Sequence, residues 1–384
     1  MSKIRIIADN KIPFLKGALE EVADIEYLPG GKINNDSAKS ADAMIIRTRT
    51  RCDEELLKDS KVSFIASATI GYDHIDTDYC ESQGIKWTNA PGCNSSSVEQ
   101  YVTSALLTFA EKYNFRLKDR VIGIVGVGNV GRKVSRVANS LGMKVLHNDP
   151  PREKNEGSYG FYSLDEIKDM SDIITFHVPL NTRGEYRTLD MVDRNFLTSL
   201  KNEAIIINTS RGEILDENAL KQGLSSGKIK DAIIDVWRNE PLIDPELVNK
   251  CGIATSHIAG YSVDGKAKGT EMSVRAVSDF FGLGRNNWSP SGLPGPEINN
   301  IVIDCGSMSE EEIVREVYTR TYDIMKDDES LRNNLEKFED LRGNYPVRRE
   351  PSNYYVRLNN NPFEYLEEVL EEMGFSVLEL DCFC

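Results

Sequence analysis

The stretch Val121-Ile-Gly-Ile-Val-Gly-Val-Gly-Asn-Val-Gly131 decides the fold of this 384-residue chain. A β-branched run breaks into G-x-G-x-x-G, and apolar residues then recur at helical spacing. In such a strand–turn–helix unit, the first glycine permits a tight turn, the second lets the backbone approach a pyrophosphate, and the third lets helix and strand pack closely. Amides at the helix N-terminus then bind the phosphates. The stretch predicts a Rossmann-type dinucleotide site involving Gly126, Gly128, Asn129, Val130 and Gly131.

The residues after the next apolar run bear on which dinucleotide binds. Lys144-Val-Leu-His-Asn148 ends in Asp149, 18 residues beyond Gly131. A carboxylate here accepts hydrogen bonds from both ribose hydroxyls and repels a 2′-phosphate, which favours NAD over NADP. Arg152 lies close by in sequence and is the observation that supports NADP instead.

Six apolar runs separated by helical patterns predict an α/β domain with a doubly wound parallel sheet. The runs lie near 121–125, 144–148, 172–176, 204–208, 231–235 and 252–255. The first 92 residues predict a smaller parallel α/β domain. A helix from about 265 to 282 is expected to return to it, which makes that domain discontinuous.

The Gly- and Pro-rich stretch 282–296 predicts a linker to a third unit. In that unit we expect strands at 301–305, 354–358 and 376–380 and helices at 310–325 and 362–373. The predicted division is therefore 1–92 plus 261–285, 93–260, and 286–384.

Composition limits the classes of partner. The net charge of −15 argues against nucleic acid or an anionic membrane, since both require a basic face. No run approaches the roughly 20 apolar residues of a membrane span, and the N-terminus lacks the apolar core of a signal peptide. Any anionic substrate must therefore be attracted by a local group of cations.

Cysteine and histidine usage favours a cytoplasmic enzyme without a metal. The seven cysteines form no C-x-x-C pair, and their odd number suggests free thiols in a reducing compartment. We expect Cys382-Phe-Cys384 to be a frayed C-terminal tail. The four histidines include no paired metal motif, so we expect no catalytic metal.

Three polar residues follow successive apolar runs in the second half of the chain: Arg211, Glu240 and His257. The ends of such strands converge on the crevice where ligands bind. An arginine can hold a carboxylate by a bidentate fork, a histidine can move a proton, and a glutamate can orient its ring. Together they can clamp a 2-hydroxy or 2-oxo carboxylate and transfer a proton at its C2 oxygen.

Together with the glycine loop, these three residues indicate a family. Over residues 1 to about 285 the chain resembles the D-isomer-specific 2-hydroxyacid dehydrogenases. The resemblance implies catalytic roles for Arg211, Glu240 and His257. A narrower subgroup with a small phosphorylated substrate is favoured by Ala90–Asn94, Asp149–Arg152, 175–180 and 256–267. The resemblance further implies NAD contacts from Val178, Pro179, Thr209, Asp235 and Gly260, and substrate contacts from Arg47, Thr48, Thr69 and Tyr261. Val178 departs from the family, many of whose members have Thr or Ser there.

For the architecture, the resemblance implies a flavodoxin-like substrate (lid) domain, a Rossmann-type NAD-binding domain, and a C-terminal α+β domain that forms a homodimer. We expect this last domain to be an antiparallel dimerisation module. The alternative is a regulatory domain that senses a ligand. Closure of the lid is expected to hinge near Pro91-Gly92 and Tyr261-Ser262.

Two groups of arginines are candidates for binding a substrate phosphate. Arg47, Arg49 and Arg51 would share one face of an extended backbone, although basic residues also protect exposed strand ends. Arg348 and Arg349 could reach a neighbouring subunit's substrate or could simply be solvated.

The expected activity is NAD-dependent oxidation of a small phosphorylated 2-hydroxy acid. Arg211 would bind the substrate carboxylate, His257 would accept the hydroxyl proton, and Glu240 would stabilise the imidazolium. Another substrate, such as 3-phosphoglycerate or glycerate/hydroxypyruvate, is the nearest alternative. A non-catalytic NAD(H)-sensing binding protein is the alternative from a different class.

Overall fold

The computed structural model describes residues 3–378, so Leu380 and the Cys382-Phe-Cys384 tail lie outside the described residues. The strands, in chain order, are β1 (Ile4–Asp9), β2 (Ala23–Leu28), β3 (Ala43–Ile46), β4 (Phe64–Ser67), β5 (Lys86–Thr88), β6 (Val121–Val125), β7 (Lys144–Asn148), β8 (Ile173–Phe176), β9 (Ala204–Asn208), β10 (Ile229–Ile234), β11 (Ile253–Ala254), β12 (Asn300–Asp304), β13 (Tyr355–Asn359) and β14 (Ser376–Val377).

The α-helices, in chain order, are α1 (Asn35–Ala38), α2 (Glu54–Leu57), α3 (Thr77–Ser82), α4 (Ser95–Lys112), α5 (Asn129–Ser140), α6 (Pro150–Glu156), α7 (Leu164–Met170), α8 (Arg194–Ser199), α9 (Glu217–Ser226), α10 (Pro245–Lys250), α11 (Val263–Phe281), α12 (Glu310–Thr321), α13 (Ile324–Arg332), α14 (Phe338–Gly343) and α15 (Leu366–Glu372).

The described chain forms two compact units. One contains residues 3–94 and 262–294, and the other contains 95–261 and 295–378. The C-terminal residues therefore belong to the same compact unit as the nucleotide-binding sheet. The division into three domains remains a prediction.

The first unit contains a five-stranded parallel sheet in the order β2-β1-β3-β4-β5. This is the flavodoxin-like order. The helix α11 returns to this unit and buries Val274 and Val277 in its core. The edge strand β2 is not marked by an apolar run in the sequence. Its half-buried residues alternate the charged Asp24 and Glu26 with apolar side chains.

The second unit contains the predicted doubly wound parallel sheet, in the order β11-β10-β9-β8-β6-β7. An isolated parallel bridge from His147 to Phe161 continues the order beyond β7, as the third strand of a Rossmann sheet would. The strand order reverses between β6 and β8. The ligand crevice of such a sheet lies at this point, outside the carboxyl ends of the strands.

The C-terminal sheet β12-β13-β14 is parallel throughout, so the antiparallel expectation was wrong. Helices explain the difference: α12, α13 and α14 connect the first two strands, and α15 connects the last two. Parallel strands need such crossover connections. The helix expected at 310–325 ends at Thr321, and a new helix begins after Asp323, whose side chain accepts a hydrogen bond from the backbone N–H of Met325.

The C-terminal residues pack on the nucleotide-binding sheet of their own chain. Tyr318, Tyr322 and Val356 share a buried cluster with Tyr101 of α4 and Ile253 of β11. Polar contacts also reach the sheet, since Asp328 of α13 accepts a 2.7 Å hydrogen bond from the backbone N–H of Ala254. Arg332 donates to Asp328 and to the carbonyls of Val248 and Cys251.

Three further findings concern residues 3–378. The cysteines at 52, 80, 93, 251 and 305 are buried and form no disulfide bond. In this part of the chain, no cluster of three or more His, Cys, Asp or Glu side chains could hold a metal ion. Among the helices described, none combines the length and apolar character needed to cross a membrane.

Candidate active site

The predicted site residues of the second unit lie at the carboxyl ends of its strands. The glycine loop follows β6 and Asp149 follows β7. Val178 and Pro179 come after β8, Thr209 after β9, and Asp235 after β10. The catalytic candidates Arg211, Glu240 and His257 follow the neighbouring strands β9, β10 and β11 in that order. The sheet thus brings both groups to one edge.

Each of the three glycines in the loop has a different structural environment. Gly126 has a φ of +88°, and a Cβ there would lie 2.5 Å from the carbonyl oxygen of His177. A Cβ on Gly131 would overlap the carbonyl oxygen of Gly126, so helix and loop pack too closely for any side chain. A Cβ on Gly128 would meet nothing within 4 Å. The space over Gly128 is open, and the pyrophosphate of a dinucleotide fits this cradle.

Asp149 fastens the glycine loop to the end of β7. Its Oδ2 accepts a 2.8 Å hydrogen bond from the backbone N–H of Val127. Its Oδ1 accepts one at 3.1 Å from the N–H of Arg152, which caps α6. The carboxylate thus lies beside the loop at the ribose position of the fold. Its contact with the ribose hydroxyls remains a prediction.

Arg152, the residue that supported NADP, is already engaged. Its Nε and Nη2 form a bidentate pair with Glu156 at 2.7 and 2.6 Å, and Nη1 donates to the carbonyl of Val127 at 2.8 Å. The Glu156 pair raises the pKa of Arg152 and lowers that of Glu156. A 2′-phosphate would have to compete with this carboxylate for the guanidinium.

Glu240 and His257 form a hydrogen-bonded acid–base pair. The Nδ1 of His257 lies 2.7 Å from Oε2 and 3.0 Å from Oε1 of Glu240. Burial alone would raise the pKa of Glu240, but the hydrogen bond and charge of His257, the N–H of Trp237 and the charge of Arg342 outweigh it and hold the pKa below its ordinary value. Glu240 is therefore ionised near neutral pH and can stabilise a protonated His257.

The loop that carries His257 is organised by the buried carboxylate of Asp235. Its Oδ1 accepts 2.7 Å hydrogen bonds from the N–H of Ile258 and the hydroxyl of Thr255, and its Oδ2 accepts one at 2.9 Å from the N–H of Ala259. The carbonyl of Asp235 accepts from the N–H of His257 at 2.8 Å. These bonds hold His257 at a φ of +57°, in the left-handed region. Asp235 thus positions His257, and its contact with NAD remains a prediction.

A close backbone approach brings the Arg211 turn beside the segment that leads to Glu240. A Cβ on Gly212 would overlap the backbone carbonyl of Trp237, so glycine is needed where the two loops cross. The side chain of Asn208 donates to the carbonyl of Arg211 at 2.9 Å, and Nη1 of Arg211 donates to the carbonyl of Ser210 at 2.7 Å. The half-buried guanidinium is thereby held at the end of β9.

His177 lies between the glycine loop and Thr209, and its imidazole is neutral. Its Nε2 lies 3.0 Å from the hydroxyl of Thr175, and its Nδ1 lies 3.4 Å from that of Thr209. Burial lowers the pKa of His177 to about 3. Two sequence-predicted neighbours are fixed nearby, because the hydroxyl of Thr188 donates to the carbonyl of Pro179 at 2.6 Å and the Val178 side chain lies against the Gly126 loop.

In the first unit, the extended backbone assumed for Arg47, Arg49 and Arg51 was wrong. Residues 47–50 form a turn, with the N–H of Thr50 bonded to the carbonyl of Arg47 at 3.1 Å. Arg47 pairs with buried Asp9 at 3.1 Å, and Arg51 pairs with Asp53 at 2.8 Å. The three side chains therefore do not form a ladder along one strand face.

The other predicted substrate residues lie as follows. Thr48 is exposed in that turn. Thr69 is half-buried, 2.8 Å from the hydroxyl of Ser67, and donates to the carbonyl of Gly71 at 3.1 Å. Tyr261 is half-buried in the second unit, with its ring edge-on to Tyr345 at 5.9 Å. Gly260, just before it, is half-buried at the end of the loop that carries His257.

Arg348 and Arg349 are buried within their own chain, so neither is a solvated loop residue. Arg348 donates to the carbonyls of Ser97 and Ala259 and lies over the ring of Tyr322. The suggestion that this residue reaches a neighbouring subunit's substrate was therefore wrong. It instead helps to hold the end of the loop that carries His257.

Sequence reasoning missed two contributors to the site. Gly212 is required by backbone contact that no periodicity reveals, although an Arg-Gly pair after a strand is a weak signal for it. Arg342 belongs to a short helix without a recognisable pattern, yet its Nη1 lies 3.9 Å from Oε2 of Glu240.

Comparison with known families and curated proteins agrees with this geometry. The family model of the D-isomer-specific 2-hydroxyacid dehydrogenase NAD-binding domain matches residues 97–259. A domain of unknown function matches residues 293–373. Erythronate-4-phosphate dehydrogenase of Bacteroides fragilis is 49% identical over 92% of this chain and 99% of its own length. The chain belongs to the erythronate-4-phosphate dehydrogenase family.

Other members and relatives extend the comparison. Erythronate-4-phosphate dehydrogenase of Hahella chejuensis is 37% identical over 97% of this chain and 99% of its own. A D-lactate dehydrogenase from Aquifex aeolicus, solved with NAD and lactic acid, is 25% identical, with a TM-score of 0.61 over 72% of this chain and 95% of that one. The cofactor of this dehydrogenase family member is NAD, and the open cradle over Gly128 fits it.

Proposed function

We propose that this protein oxidises 4-phospho-D-erythronate to 2-oxo-3-hydroxy-4-phosphobutanoate with NAD, as a step in pyridoxal phosphate (vitamin B6) biosynthesis. The observation that carries the chemistry is the 2.7 Å contact between Glu240 and His257 at the strand edge that holds the glycine loop. The substrate is supported by the names of relatives that match nearly the whole chain.

The residues of the chain account for binding and proton transfer. Arg211 binds the substrate carboxylate as a charge-assisted pair. The Nε2 of His257 accepts the proton of the C2 hydroxyl, and ionised Glu240 stabilises the imidazolium that forms. NAD, when bound at the glycine loop, supplies the acceptor for the C2 hydride. In the reverse direction, His257 returns the proton to the oxygen.

The roles assigned to individual cofactor and substrate residues also belong to this proposal. Gly126, Gly128, Asn129, Val130, Gly131, Asp149, Val178, Pro179, Thr209, Asp235 and Gly260 would contact NAD. Arg47, Thr48, Thr69 and Tyr261 would contact the substrate. Support comes from the family resemblance and, for the NAD residues, from their common position at the strand edge.

A homodimer through the C-terminal region is part of the same proposal. Val302 of β12 and Tyr355 of β13 are 48% and 45% exposed on the outer face of the C-terminal sheet. The alternate residues Ile301 and Val356 are buried against the chain itself. These two apolar side chains lie among the polar residues Asn300, Asp304, Arg357 and Asn359, and a mixed face of this kind suits a second copy related by two-fold symmetry. The cytoplasmic location rests on the free thiols and remains an expectation.

The test of the activity is absorbance at 340 nm with NAD and a panel of hydroxy acids. The panel contains 4-phosphoerythronate, erythronate, 3-phosphoglycerate, glycerate and lactate. We expect the highest kcat/KM with 4-phosphoerythronate. A higher value with 3-phosphoglycerate or glycerate would reassign the substrate, and NAD binding without turnover of any acid would favour a sensing protein.

A further inference from the structure

The helix α14 places a cation beside the catalytic pair. Nη1 of Arg342 lies 3.9 Å from Oε2 of Glu240, and the Arg342 side chain is 18% exposed. Its guanidinium carbon lies 5.7 Å from the ring centre of Tyr261 and 5.8 Å from that of Phe338. All four residues belong to one compact unit. The C-terminal region, whose family has no known function, thus contributes a charged group to the site of its own chain.

Most of the hydrogen-bonding capacity of Arg342 is unused. A guanidinium has five N–H donors. Within residues 3–378, Arg342 makes one long hydrogen bond, from Nη1 to Oε1 of Glu339 at 3.4 Å, and its buried Nε has no partner. Since the buried Nε has almost no exposed surface, an arriving anion would contact the terminal nitrogens, whose donors are only partly used. Aromatic rings accept no hydrogen bond from the edge of the guanidinium at these distances, and its planar donors are suited to a pair of oxygens.

The neighbouring cations are either engaged or enclosed. Arg332 donates to Asp328 and to two backbone carbonyls. Arg348 is 4% exposed and enclosed between backbone carbonyls and aromatic rings. Nε and Nη1 of Arg348 also lack partners, so its enclosure is what sets it apart from Arg342. A ligand in solution could not reach Arg348 without rearrangement. Arg342 combines partial exposure, proximity to Glu240 and unused donors.

We propose that Arg342 binds the phosphate of the substrate while Arg211 holds its carboxylate. The identity of the anion rests on the proposed function. A dianionic phosphate needs a local cation in a chain of net charge −15, and charge-assisted bonds from a guanidinium fork are the strong form of phosphate contact. The proposal makes the C-terminal region a specificity element that acts in the same chain.

The test compares two substrates in an Arg342→Met variant. Loss of a charge-assisted hydrogen bond should lower kcat/KM for 4-phosphoerythronate on the order of 10- to 100-fold. The kcat/KM for erythronate, which lacks the phosphate, should fall by a clearly smaller factor, which measures what Arg342 contributes through Glu240. Arg320→Met is the matched control, since Arg320 is exposed on α12 and pairs with Glu316. Equal losses on both substrates would overturn the proposal, because Arg342 would then act through Glu240.

A binding measurement separates this proposal from the proposed function. Titration calorimetry with inorganic phosphate should detect binding to the unaltered full chain and weaker binding to Arg342→Met. Equal phosphate affinity in both proteins, or none in the unaltered one, would overturn the inference. Absence of turnover with 4-phosphoerythronate in the unaltered protein would refute the proposed function alone. If circular dichroism shows that Arg342→Met is unfolded, Arg342→Lys, which keeps the charge but loses the fork, carries the same two comparisons.

Discussion

Both carboxylate oxygens of Glu240 lie within hydrogen-bonding distance of Nδ1 of His257, at 2.7 and 3.0 Å. An ionised carboxylate can only accept hydrogen bonds, so Nδ1 must carry a proton. In the neutral ring, Nε2 is then the basic nitrogen. The pair therefore fixes the tautomer in which His257 can take a proton from a substrate hydroxyl.

Replacing either member of this pair should reduce turnover. His257→Ala should lower kcat on the order of 10²–10⁴-fold, because it removes the general base. Glu240→Gln should cause a smaller loss, because the side chain keeps its shape but no longer stabilises the imidazolium. Steady-state kinetics gives both values, and fluorescence titration of NADH should show retained cofactor binding. Turnover near that of the unaltered enzyme in His257→Ala would contradict the assignment.

Two alanine substitutions in the glycine loop should have different effects. Gly131→Ala should destabilise the protein by about 1–3 kcal/mol, because the new methyl group overlaps the Gly126 carbonyl. Gly128→Ala should leave thermal stability nearly unchanged but weaken NAD binding, since its methyl group enters the open cradle. Thermal unfolding and NADH titration measure the two effects. A large loss of stability in Gly128→Ala would show that the space above it is not free.

The unaltered enzyme should prefer NAD, and the preference should depend on Glu156 as well as Asp149. Glu156→Gln combined with Asp149→Ser removes the carboxylate that repels a 2′-phosphate and frees Arg152 from its partner. One new charge-assisted bond of about 1.5 kcal/mol should raise kcat/KM for NADP about 10-fold over Asp149→Ser alone. Similar kcat/KM values for NADP and NAD in the unaltered enzyme would refute the cofactor preference.

His177 should make stability depend on pH. Its pKa falls from 6.5 to about 3 on folding, so the unfolded chain binds a proton more readily. The contribution to stability is complete above pH 6.5 and is lost as pH falls towards 3. Because the residue is half-buried and solvent weakens the effect, we expect about 1 kcal/mol to be lost between pH 6.5 and 5.

His177→Gln, which cannot titrate, should lose less stability over that interval. Urea unfolding at the two pH values measures the difference, with His147→Gln as the control. The pKa of His147 is also lowered, by burial and by the charge of Arg152, so this variant shows how much of the dependence comes from a second histidine. Equal pH dependence in the unaltered protein and in His177→Gln would contradict the prediction.

The proposed dimer should dissociate when charge is placed on the outer face of the C-terminal sheet. Val302→Glu together with Tyr355→Glu would bring like charges together across a two-fold axis. Light scattering should then report half the mass of the unaltered protein. Ser376→Glu, at the start of the third strand, is a milder control. An unchanged mass would place the interface elsewhere or exclude a dimer.

Much of the site could be predicted because its signals are local. The glycine loop, the run ending at Asp149, and the residues after β9, β10 and β11 each lie where a strand must end. A parallel sheet then brings those ends to one edge without further information. The remaining features depend on contacts between distant residues. The clash that requires glycine at 212, the engagement of Arg152 by Glu156, and the approach of Arg342 to Glu240 leave no periodic trace in the sequence.

The C-terminal sheet shows a different limit. The strands of this sheet can be predicted from their short alternating runs, but their direction cannot, because the sequence does not show on which side the connection through α12, α13 and α14 returns. The burial of Arg348 and Arg349 was also hidden, since adjacent arginines in a loop ordinarily face solvent.

Residues 295–378 are attached to the nucleotide-binding sheet by their own contacts. The peptide linkage through 285–296 should therefore not be needed to keep these residues on the sheet. Asp328 and Arg332 bond the backbone around β11, and a shared buried cluster joins Tyr322 to Tyr101. The intervening glycines at 292 and 295 are exposed. The chain is thus suited to fragment complementation: an N-terminal piece ending near 292 and a separately expressed C-terminal piece should recombine into a nicked enzyme that retains its dehydrogenase activity.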